Sequence, residues 1–224
     1  MNYRPKIAIL ASGGGSTAGH FTNLVLAGKV NGEVVLVISS KPSSGVLERI
    51  KKINNLKNQK IKLYHIGKSN FPPEKNEKIQ PGGQTQAEET AILHILTDNQ
   101  IDIVLLMGYL KKVGQKIVAK YGWSAKNKSV FEASMLNTHP GPLPLTKGLW
   151  GIHVQEKVLR TNQKITSHCI YAVDSKYDNG PEITRHTLKI KDGDTPKSLI
   201  ERIKKSEKKY LAGDINYFFD NKYN

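Results

Sequence analysis

The chain is short of cysteine, of acidic residues and of long apolar runs, and each shortage removes a class of function. Its one cysteine, Cys169, excludes an internal disulfide and any cysteine-cluster metal site. That thiol lies in a strand-like apolar run over residues 166–173, which reads as a buried, inert position. No apolar stretch reaches the ~18 residues that a membrane-spanning helix needs. Residues 1–6 carry no signal-peptide pattern and lead directly into a strand. A cytoplasmic protein with no membrane partner is expected. The 19 acidic residues stand against 34 Lys and Arg, for a net charge of +15. Such a balance favours anionic partners: phosphates, polycarboxylates or nucleic acid. The lysines are scattered (Lys51, Lys52, Lys57, Lys60, Lys62 and Lys204, Lys205, Lys208, Lys209), which reads as a solvated surface. Aromatics are sparse, at 7%, and do not alternate with the basic residues. The stacking platform of a single-strand nucleic-acid binder is therefore missing, and no nucleic-acid partner is expected.

What is present is an alternation of short apolar runs and helical patterns. Residues 6–11 (KIAILA) read as a fully buried strand, and Ser12-Gly13-Gly14-Gly15-Ser16-Thr17 follows at once. A helical pattern over residues 20–28 places Phe21, Leu24 and Val25 on one face. Strand, glycine turn and helix are repeated in weaker form by strands at 33–39 and 61–66 around a basic helix at 44–54. This is the βαβ signature of a mostly parallel sheet flanked by helices. Residues 67–84 read as a surface loop and 85–100 as a helix. Residues 101–107 (IDIVLLM), the most apolar strand, are expected at the sheet centre. Short helices at 114–121 and 152–159 flank an irregular segment at 122–134. Strands at 166–173 and 183–190 form an expected antiparallel pair. A last helix, capped by Asp194 or Thr195 with Pro196 in its first turn, runs to about residue 219. With no linker or internal repeat, one Rossmann-like α/β domain over residues 1–224 is expected.

The chemistry is carried by three segments. The glycine turn offers bare N–H groups at a helix N-terminus, which suits a phosphate. It lacks the Lys-Ser/Thr ending of an NTPase loop, and Ser39-Ser40-Lys41 stands where a nicotinamide site needs an acid. Met135-Leu136-Asn137-Thr138-His139-Pro140 is an apolar run that stops abruptly in prolines. Asn137 and His139, two residues apart on a strand, share one face. Asp178-Asn179-Gly180-Pro181 holds a carboxylate in a tight turn.

These segments, with Met107-Gly108-Tyr109-Leu110-Lys111, Leu143-Pro144 and Lys147-Gly148 in the same order, resemble the folate-dependent formyltransferases over nearly the whole chain. The resemblance implies transfer of a formyl group from 10-formyltetrahydrofolate to the amine of glycinamide ribonucleotide, without a metal. Other amine acceptors, a nucleotide-linked amino sugar or methionyl-tRNA, stay open, as does a non-catalytic binding module on the same scaffold. Oligomeric state is left open. By resemblance, Asn137 donates to the oxyanion formed on amine attack, His139 donates to it or shuttles the proton, and Asp178 orients His139. Gly14, Gly15, Ser16 and Thr17 fall on the phosphate turn, and Glu207 on the last helix falls near the nucleotide substrate. Leu110, Lys111, Val113, Val173 and Asp174 fall on the folate pocket. Two departures stand out. Cys169-Ile170-Tyr171 replaces a Thr-x-His strand, and Thr85 lies near the place of a phosphate-contacting arginine.

Overall fold

In the computed structural model, which describes residues 3–223, the first apolar run pairs in parallel with two later ones. Met1 and Asn2, part of the N-terminal reading above, and Asn224 lie outside the described residues. The chain runs β1 (Lys6–Ala11), α1 (Ser16–Leu26), β2 (Glu33–Ser39), α2 (Gly45–Lys57), β3 (Lys62–His65), α3 (Gln86–Asp98) and β4 (Ile103–Leu106). It continues through α4 (Gln115–Tyr121), β5 (Met135–His139), α5 (Ile152–Arg160), β6 (Ile165–Ala172), β7 (Glu182–Lys189) and α6 (Pro196–Tyr223). A short 3-10 turn at Val130–Glu132 breaks the otherwise irregular approach to β5.

One sheet of seven strands has the order β3-β2-β1-β4-β5-β6-β7. The first five strands in sequence are parallel, and β5-β6 and β6-β7 are both antiparallel. The expected antiparallel pair is therefore joined to the parallel sheet by a further antiparallel pairing. The most apolar strand, β4, takes the middle place. Strand order reverses between β1 and β4, so the crevice at their carboxyl ends is where such a sheet binds ligands. Ser12 ties the two ends together, since its N–H donates to Gly108 O at 3.0 Å and its hydroxyl accepts from Leu110 N–H at 3.0 Å.

Alternation along the strands feeds two cores. Ile7, Ile9 and Ala11 face Phe21 of α1, Val46 and Ile50 of α2, and Leu211 and Phe218 of α6. Ala8 and Leu10 face Ile92 and Leu96 of α3 and Ile117 of α4. Capping fixes the ends of α3 and α6. Thr85 and Glu88 form a reciprocal capping box at α3, and Thr195 rather than Asp194 accepts from the Ser198 N–H at α6, ahead of Pro196. Cys169 is buried, and burial pushes its thiol well above the ordinary range, so it stays protonated and inert. Among the described residues no helix is long and apolar enough to cross a membrane.

Candidate active site

The glycine turn begins the site. Helix α1 starts at Ser16, four residues earlier than its apolar spacing suggests, because Gly15 serves as its N-cap in the left-handed region at φ 66°. Glycine takes that conformation without strain, and a Cβ at Gly15 would stand 2.6 Å from Val46 Cα. No side chain caps this end, so its N–H groups remain available to an anion. Arg49 Nε docks on Gly14 O at 3.2 Å and sets a positive charge beside the turn. Gly15→Ala combines a disfavoured φ with an overlap, and it is expected to destabilise the fold by about 2–4 kcal/mol. A thermal melt should show the midpoint falling by about 5–12 °C.

The second part is the end of β5. Its residues alternate across the sheet and so face two different cavities. Thr138 and Met107 line a cavity of about 430 Å³ together with Gly14, Gly15, Ser16 and Thr17. Leu110, Trp150, Lys204 and Glu207 close the same cavity. Asn137 and Leu106, one residue earlier in each strand, line a slit of about 40 Å³ with Lys111, Val113, Val173, Asp174, Tyr171 and Asp178. The ends of β4 and β5 are thus the shared wall between the two spaces. Leu110, grouped above with the folate residues, opens onto the larger cavity. Lys111 contributes its stem to the slit while its ammonium pairs with the buried carboxylate of Glu88.

Asn137, His139 and Asp178 converge. Antiparallel pairing sets Asn137 opposite Tyr171 and His139 opposite Cys169. The Asn137 amide donates to the Tyr171 hydroxyl at 2.7 Å, and that hydroxyl donates to Asp178 Oδ1 at 2.6 Å. Asp178 Oδ2 accepts from Gly148 N–H at 2.9 Å and lies 3.9 Å from His139 Nδ1. Asp178 reaches this place in the left-handed region, at φ 46°, which a short polar side chain tolerates. Gly180 lets its turn press on β6, since any Cβ there would overlap the Ala172 carbonyl oxygen. Asn179 clasps the turn, donating to Asp174 at 2.8 Å and accepting from Lys147 at 2.8 Å.

Protonation follows from this geometry. The Thr146 hydroxyl donates to Pro142 O at 3.0 Å, so its oxygen is left to accept from His139 Nε2 at 2.9 Å. His139 therefore carries its hydrogen on Nε2 and turns a bare Nδ1 toward Asp178. Burial holds the imidazole below the ordinary histidine value, and the charges of Asp178 and Glu182 draw it partly back. Burial, with Asp178 alongside, pushes the Tyr171 hydroxyl far up, and it keeps its proton. Across the wall, Glu207 is half-buried against the larger cavity, and loss of water around its carboxyl pushes it up to about 7, against the pull of Lys204 and Lys208.

Thr85 is buried and committed to its cap and to Phe71 O. Lys204 instead supplies a cation to the larger cavity, and it was recoverable from the sequence. Ile200, Lys204 and Glu207 at i, i+4 and i+7 share one helix face. Nothing in the sequence signals Thr146 or Trp150.

This fold and site define a class. The family model described as formyl transferase matches residues 5–215, and the chain belongs to that family. It is 30% identical over 208 residues to the chloroplastic phosphoribosylglycinamide formyltransferase of Arabidopsis thaliana, covering 92% of this chain and 62% of that protein. It is 25% identical over 210 residues to phosphoribosylglycinamide formyltransferase of Bacillus subtilis (strain 168), covering 94% of this chain and 92% of that one. The crystal structure of phosphoribosylglycinamide formyltransferase from Bacillus halodurans superposes with a TM-score of 0.77 at 28% identity, over 96% of this chain and 95% of that chain.

Proposed function

We propose that this chain, acting as one unit in the cytoplasm, transfers a formyl group from 10-formyltetrahydrofolate to the amine of glycinamide ribonucleotide. The observation that carries the reading is the wall at the end of β5, with an anion turn and Glu207 on one side and the Asn137–Tyr171–Asp178 chain on the other. The N–H groups of Gly15, Ser16 and Thr17 bind the phosphate, and Lys204 and Arg49 add charge. Glu207 accepts hydrogen bonds from the ribose or amine end.

The slit fits a flat heteroaromatic ring in chemistry. Leu106, Val113 and Val173 give apolar walls, and Asp174 gives a polar edge. Ligand pockets of this kind hold ~300–1,000 Å³. The slit is smaller than that, so admitting the pterin requires its rim at residues 174–177, where Ser175 and Lys176 are exposed, to give way. When bound, the folate supplies a formyl group on a nitrogen that leaves readily. Asn137 donates its free amide N–H where oxygen gains negative charge, a contribution of ~10²–10³ in rate. His139 Nδ1 takes the amine proton and passes it to the folate nitrogen as its bond to the formyl carbon breaks, and Asp178 supports the imidazolium that forms.

The test is an assay of purified protein with 10-formyltetrahydrofolate and glycinamide ribonucleotide, following deformylated folate by absorbance. Turnover supports the reading. Folate binding without turnover moves the acceptor to another amine. Absence of both folate binding and turnover sinks the enzyme reading.

A further inference from the structure

We propose that Tyr171 is a positioning residue that fixes which way the Asn137 amide faces. The kinetic half of its test rests on the formyl-transfer reading above, and the other half does not. A carboxylate can only accept, so Asp178 Oδ1 takes the Tyr171 hydroxyl hydrogen at 2.6 Å. The phenol oxygen then has only lone pairs to offer, and only the NH2 end of Asn137 can satisfy it, at 2.7 Å. The polarity of Asp178 is thus passed through one hydroxyl to the amide. With one N–H spent on Tyr171, the second is left for the slit that Asn137 lines. A reversed amide would set its oxygen against the phenol oxygen and leave both N–H groups on the other side.

Sheet register builds the relay. Asn137 and Tyr171 are direct cross-strand partners, so their side chains meet without help from any loop. Tyr171 is itself 3% exposed, which limits competition from bulk water. The other oxygen of the same carboxylate faces His139 Nδ1 at 3.9 Å. Asp178 therefore orders both arms of the site, Asn137 through Tyr171 and His139 across the gap.

Tyr171→Phe keeps the packed ring and deletes the relay. We expect kcat to fall about 10- to 100-fold, with KM for both substrates held within about twofold. In an Asn137→Ala background the same change should cost less than about twofold, since no amide remains to orient. Equal losses in the two backgrounds, or no loss in the wild type, would overturn the proposal. A second readout needs no turnover. In 15N-labelled full-length protein, the Asn137 side-chain amide, assigned by its absence in Asn137→Ala, should show two well-separated protons, one protected from exchange. In Tyr171→Phe they should converge and exchange rapidly, and an unchanged pair would overturn the proposal on its own. Wild-type protein without formyl transfer would count against the proposed reaction, and the amide signals would still decide the role of Tyr171.

Discussion

Asp178→Asn is expected to lower kcat by about 10³-fold or more while leaving the fold intact. The carboxylate accepts from Tyr171 at 2.6 Å and from Gly148 N–H at 2.9 Å, one donor on each oxygen. An amide of the same shape has one acceptor and one NH2 group, so it can satisfy only one of the two. Gly148 N–H is a backbone donor and cannot turn away. The new amide oxygen therefore takes Gly148, and its NH2 group faces the phenol. Tyr171 then accepts and turns its own hydrogen toward Asn137, whose amide must reverse to receive it. An oxyanion donor becomes an acceptor. The negative charge 3.9 Å from His139 Nδ1 is lost in the same step. Hydrogen bonds weakened in a buried site cost ~1–3 kcal/mol of stability, or a few degrees in the thermal midpoint. A 10³-fold kinetic loss is ~4 kcal/mol in the barrier, so it stands clear of any general loosening. Steady-state rates at saturating substrates, beside a thermal melt, make the comparison. A kcat within tenfold of wild type would mean that Asp178 does not set these polarities.

Different physical signals decide how much of this was readable beforehand. β1 and β2 matched their apolar runs to the residue, because a buried parallel strand is uniformly apolar. β3 and β4 are shorter than their runs, since Ile61, Ile66, Ile101 and Met107 are buried just outside the ladder. Burial and pairing are separate demands, and an apolar pattern reports only the first. The start of α1 was misplaced for a related reason. The glycine turn was read as running through Thr17 and the helix as starting at residue 20, whereas Val46 packs against Gly15 and Arg49 against Gly19, and the helix starts at Ser16 and runs on through Gly19. Asn137, His139 and Asp178 were legible because polar residues at the end of an apolar strand and in a proline-bounded turn are unusual there. Tyr171 was visible only as a departure from a pattern. Its place between Asn137 and Asp178 depends on the β5-β6 register, which no local spacing encodes. Thr146 belongs to the same class. It holds His139 from a turn seven residues away, and its buried hydroxyl looks like any other threonine in sequence.

His139→Ala is expected to reduce kcat by about 10²- to 10⁴-fold, and the stronger test is what it does to the pH profile. In the folded protein His139 is buried and neutral, with Nε2–H given to Thr146 and Nδ1 free to take a proton. Its proton affinity is lowered by burial. The active, unprotonated form therefore persists through neutral pH and is lost only as pH falls below the ordinary histidine range. kcat/KM of the wild type should be flat across neutral pH and should drop with a single-proton slope on the acid side. The residual activity of His139→Ala should lack that limb. Acid unfolding is a competing cause, and its direction can be worked out. Burial and the neighbouring His186 push His168 down to about 4, so the native state holds it neutral where the unfolded chain would protonate it. Its contribution to stability is fully present above the ordinary histidine value and fades as pH falls toward about 4. His139 itself adds an acid sensitivity of the same sign, which the variant lacks. Relative to its own stability at neutral pH, the variant therefore loses stability no more steeply in acid than the wild type does. An acid limb that is present in the wild type, absent in the variant and reversible on returning to neutral pH can then be assigned to proton transfer at Nδ1. A limb of the same position and slope in both proteins would place the titrating group elsewhere and remove His139 from the acid/base step.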